Sequence, residues 1–140
     1  MMKSNYSSLM HSKFFNPAFN SAIFDGPVRI YFAQFHESLA LKIYFSLQQK
    51  HPELLQKAKS MHQKTGKNIL VMLYPSQESF EMSFDATGIF LATEQLSNDD
   101  IIGVNGPFED EQITTVLGAV ESCLLNWVDN EEINHSSLQI

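Results

Sequence analysis

The sequence predicts one α+β domain whose sheet is mixed or largely antiparallel, with about four or five strands packed against two main helices. Three observations predict it. Residues 28–74 run from an alternating segment, VRIYFAQF, through two stretches of helical period, ESLALKIYFSLQQK and ELLQKAKSMHQK, to the unbroken apolar run ILVMLY. Residues 78–96 then alternate as a hairpin does. A last helical stripe runs to Val128. The expected order is β-α-α-β-β-β-(β)-α, in one domain over residues 27–128. At 140 residues the chain is long enough for one core of ordinary size.

Residues 1–26 read as an N-terminal extension. Ser and Asn recur, Pro17 interrupts, and Asp25-Gly26-Pro27 turns into the first strand. Phe14, Phe15, Phe19, Ile23 and Phe24 each gain roughly 1.5–3 kcal/mol on full burial, so the extension is expected to dock, in cis or across a dimer.

From Val28 onward, Val28, Ile30 and Phe32 alternate with Arg29, Tyr31 and Ala33. Both faces are fairly apolar, which suits an interior strand. His36-Glu37-Ser38 marks the entry to a helix, where Glu37 complements the N-terminal dipole. Leu39, Ala40, Ile43, Tyr44 and Leu47 form that helix's main apolar arc. Leu41 and Phe45, an i,i+4 pair, lie off it and need a cover of their own.

His51-Pro52 ends the helix, since proline disfavours helical geometry before it and lacks an amide donor. Leu54, Ala58 and Met61 continue on a shorter helix closed by Gly66. In the expected hairpin, Phe80, Met82 and Phe84 alternate with Glu81 and Ser83, and Asp85-Ala86-Thr87-Gly88 turns. That register sets Phe84 opposite Phe90 and Met82 opposite Ala92, with Ile89 and Leu91 on the second face. IIGV at 101–104 adds a short strand.

The last helix is expected to start near Phe108, with Glu109, Asp110 and Glu111 in its first turn. Its stripe is Ile113, Val116, Leu117, Val120, Leu124 and Val128. Residues 129–140 read as a polar tail. Ile30, Phe32, Ile43, Leu47, Val71, Phe84, Leu117 and Leu124 are expected to share one core. The order is similar to that of profilin-like and longin-like domains, a likeness of element order that carries no function.

A net charge of −7 and a single arginine, Arg29, argue against binding nucleic-acid backbones. No apolar run reaches the roughly 18 residues of a membrane span, and the first residues lack a signal-peptide core. The lone Cys123 allows no intrachain disulfide and suits a reducing compartment, so a cytoplasmic location is expected. No metal or cofactor is expected: HExxH, His-x-His, CxxC and glycine-rich phosphate patterns are all missing from the sequence.

His36 and Glu37 are weak catalytic candidates, placed where a strand hands over to a helix. A surface turn with a dipole-favoured Glu is the plainer reading, because catalysis needs converging groups. Leu41, Phe45, Phe14, Phe15, Phe19, Ile89 and Leu91 are the interface candidates, for a homodimer or a protein partner. The expectation is a non-enzymatic interaction or regulatory module that self-associates. The alternative is a small-molecule-binding domain or minor enzyme with its site near His36-Glu37.

Overall fold

Strands β1 (Ser21–Asp25), β2 (Val28–Phe32), β3 (Ile69–Leu73), β4 (Leu91–Leu96) and β5 (Asp99–Val104) form one sheet in the order β1-β2-β3-β5-β4. The computed structural model describes residues 12–106 and 109–138. β2, β3 and β5 are parallel, and each edge strand is antiparallel to its neighbour. The sheet is therefore mixed. A 3₁₀ turn (Gln34–His36) leads into helix α1 (Glu37–Lys50), and α2 (Pro52–Thr65), α3 (Gln77–Phe84) and α4 (Asp110–Leu138) follow. Among the described residues there are four α-helices, so the expected class is found with more helices and a different order.

Each departure has a local cause. Residues 21–25 form a strand within the segment read as an extension, paired from Ser21↔Phe32 to Asp25↔Val28. The loop between the strands is two residues long and opens with Gly26 at φ 62°, a position where a hairpin turn prefers glycine. The turn that was read as launching the first strand therefore joins two strands.

Residues 77–84 are a helix, not the first arm of a hairpin. Ser76 Oγ accepts from Ser79 N at 3.1 Å, and Ser79 Oγ accepts from Ser76 N at 3.3 Å, which closes a capping box. Phe80 and Phe84 then lie on one helical face and are buried, whereas Met82 points outward, 76% exposed. The expected pairings Phe84–Phe90 and Met82–Ala92 do not form. Instead β4 pairs with β5, Leu91 opposite Val104 and Ala92 opposite Gly103. The last helix continues past residue 129 to Leu138.

The sheet has two packed faces. On one, Ile30, Phe32, Val71 and Ile102 meet Ile43 and Leu47 of α1, Ala58 and Met61 of α2, and Leu117 and Leu124 of α4. On the other, Tyr31, Leu70, Met72 and Ile101 meet Phe80 and Phe84 of α3, with Tyr74, Phe14 and Phe19. Alternation along each strand produces this division, since successive side chains leave opposite faces. Of the eight residues expected in one core, seven share the helix-covered face. Phe84 lies across the sheet from them, because it belongs to α3.

Candidate functional site

The outer surface of α1 is where apolar side chains remain open. Ala40, Ile43 and Leu47 face the core. One flank is tied to α4: Lys42 Nζ bonds Asp110 Oδ1 at 3.0 Å, and at the helix end His51 Nε2 lies 3.4 Å from Glu121 Oε2. Such exposed pairs stabilise little, about 0–1 kcal/mol, but they mark which side is occupied. Elsewhere on the surface, Leu41 is 36% and Phe45 59% exposed. They share a strip with Ser38, Gln48 and Gln49, all exposed and uncharged. Tyr44 supports it: its ring meets Phe45 edge-on at 5.2 Å, and its hydroxyl accepts from Gln48 Nε2 at 2.9 Å.

Phe14, Phe15 and Phe19 do not cover this strip. Phe14 and Phe19 are buried on the opposite face of the sheet, and Phe15 packs at the margin of the same cluster. Tyr74 Oη donates to Phe14 O at 2.5 Å, and the Phe19 ring meets Tyr74 edge-on at 5.1 Å. Burial pushes the Tyr74 phenol up to about 12, against a smaller lowering by a hydrogen bond with Ser83, so it remains a donor. The remaining two interface candidates part company. Ile89 is exposed in the loop before β4, whereas Leu91 is half-buried against the helix-covered core.

His36 ends the 3₁₀ turn and precedes α1, and its ring lies 4.4 Å from that of the exposed Phe35. Partial burial pulls its pKa below the ordinary histidine value. Glu37 is exposed at the first position of α1. Neither residue lines the cavities beside Pro27, beside His51 or between β4 and α4. Among the described residues no three His, Cys, Asp or Glu side chains are grouped to hold a metal ion.

Two polar constellations went unseen in the sequence. Asn68 Nδ2 donates to Asp99 Oδ1 at 3.1 Å, with both residues buried, and Asp100 N donates to Asn68 O at 3.0 Å. These bonds pin the starts of β3 and β5 together. Burial raises the Asp99 carboxyl, and the Asn68 hydrogen bonds and the charge of Arg29 pull it part of the way back.

The second constellation lines a groove of about 620 Å³ between β4 and α4. There Asp100 accepts from Trp127 Nε1 at 2.7 Å and from Gln95 Nε2 at 3.2 Å, beside Cys123. Burial, and secondarily the charge of Asp100, push the Cys123 thiol up to about 11, which keeps it protonated and unreactive near neutrality. Comparison with known proteins finds no matching family model, curated protein or solved structure.

Proposed function

We propose that the chain is a non-enzymatic protein-interaction module that forms a homodimer through the outer strip of α1. The observation that carries this reading is the Leu41–Phe45 pair, apolar and open at the middle of the outer strip of α1, with Glu37 and Lys42 at its margins. Leaving such groups in water forgoes burial energy, and contiguous exposed apolar surface commonly marks a contact site. A second copy suits it for a geometric reason. A two-fold contact is self-complementary, and residues one turn apart let Leu41 of each copy meet Phe45 of the other in an antiparallel pair. That arrangement also brings the helix end bearing Glu37 beside the end bearing Lys50, with opposed dipoles.

An ordinary stable interface buries roughly 800 Å² per partner, so the strip forms the centre and its polar surroundings the margin. The lone thiol of Cys123 suits a reducing compartment, and a cytoplasmic location is part of this reading.

Cross-linking tests the reading. With Cys123 replaced by Ser, chains carrying Leu41→Cys and chains carrying Phe45→Cys are mixed and mildly oxidised. The mixed disulfide should form faster than either same-residue disulfide. Equally fast trapping by Thr115→Cys, on the exposed side of α4, would contradict the assignment.

A further inference from the structure

We propose that the free edge of β4, with the groove beside α4, binds an extended peptide carrying Lys or Arg by adding it to the sheet as a further strand. This rests on the interaction-module reading and gives the partner a chemistry, on a surface separate from the α1 strip.

Among the described residues the sheet order ends on β4, which pairs with β5 alone. Its register runs from Leu91↔Val104 to Leu96↔Asp99 without a bulge, and its sequence, LATEQL, has neither Pro nor Lys. Proteins commonly guard open edges with such devices; here the one charge on the edge strand is Glu94, which leaves the edge a template for a strand of opposite charge.

The phase of the ladder says which groups are offered. Asn105 N donates to Phe90 O at 2.8 Å, so Phe90 and Asn105 are a hydrogen-bonded pair. Hydrogen-bonded pairs recur every second residue, which turns the amides and carbonyls of Thr93 and Gln95 away from β5 toward the open side.

The groove beside this edge gives the proposal its chemistry. Thr93 and Gln95 look across it to Ser122, Cys123 and Asn126 of α4. Of the acidic residues at its lining, Asp100 turns its carboxylate into the groove and Glu94 turns to the other face, and among the described residues no Lys or Arg lines it. Asp100 lies on the helix-covered face, fixed by Trp127, while Glu94 stands opposite Ile101 and so projects from the other face. An added strand sends alternate side chains to the two faces, and each face presents it with one carboxylate. The field of Asp100 is already felt within the groove, at Cys123.

The test uses the full chain and a fluorescent peptide of about eight residues in which lysine pairs alternate with threonine pairs, so that lysines reach both faces, followed by anisotropy at low and high salt. Saturable binding is expected, lost at high salt, with the matching glutamate–threonine peptide at least ~tenfold weaker. Thr93→Pro removes one outward donor without touching the β4–β5 ladder and should weaken binding at least ~tenfold, as should Glu94→Lys. Circular dichroism confirms that both variants fold.

Binding unaffected by Thr93→Pro would show mere charge attraction to an acidic protein and overturn the proposal. Absence of binding by the folded wild-type chain would also overturn it. Dissociation of a dimer by Thr93→Pro would overturn it in favour of a second copy's β4 at the edge. The two readings fail separately. Phe45→Glu should remove the dimer and leave peptide binding intact, and peptide binding that fails while the α1 dimer persists sinks only this inference.

Discussion

Gly103 of β5 lies directly beneath the ring of Phe84, so closely that a methyl group at Gly103 would overlap the ring. This contact seats α3 on the sheet, and it follows from α3 being a helix with Phe80 and Phe84 on its inner side. Gly103→Ala should destabilise the fold by about 1–3 kcal/mol, the usual cost of overpacking. Adding Phe84→Leu should return part of that loss. Urea midpoints measure both effects, and an unchanged midpoint in Gly103→Ala would show that the approach is looser.

The same helix separates two neighbouring apolar residues. Phe80→Ala should cost about 3–5 kcal/mol, whereas Met82→Ala, on the exposed side, should stay within ~0.5 kcal/mol. A hairpin arm would have made both substitutions costly. Comparable losses in the two variants would restore the strand.

On the other core face, Leu47→Ala should cost about 2–5 kcal/mol, because Leu47 is buried between α1 and the sheet. Thermal or urea unfolding checks this. A cost below ~1 kcal/mol would mean that α1 is held differently.

Asp99 makes stability depend on pH. Burial sets its folded pKa above the ordinary 3.8, so the folded chain holds the proton more tightly than the unfolded chain. Its contribution to stability therefore falls as pH rises from 3.8 through the raised value. Asp99→Asn keeps an acceptor for Asn68 and loses the buried charge. Its stability relative to wild type should rise across that interval and then level off. A difference that is flat with pH would show that Asp99 titrates normally.

How much of this was legible in the sequence differs from element to element. β2, α1, α2 and β3 were, since period and punctuation agree there and Pro52 and Gly66 fall at helix ends. α3 was not. A spacing of four satisfies both period 2 and period 3.6, so Phe80 and Phe84 fit strand and helix alike, and only Met82 tells them apart. β1 was hidden because Asp25-Gly26-Pro27 reads equally as a turn that launches a strand and as one that joins two, and the five residues before it, SAIFD, are too few to show a period.

For the candidate site, the Leu41–Phe45 strip was visible as an i,i+4 pair off the main arc. Which segment covers it was not, because Phe14 and Phe19 could only be known as apolar, not as facing the other side of the sheet. The β4–α4 groove could not be read at all. Asp100 and Trp127 are 27 residues apart and meet only through the fold.

The most direct test of the account is sedimentation equilibrium of the full chain and of Phe45→Glu across the micromolar range. The account predicts a dimer for the full chain and a folded monomer for Phe45→Glu, since a buried unpaired carboxylate at the centre of the contact is costly. A full chain that remains monomeric at high micromolar concentration would contradict it.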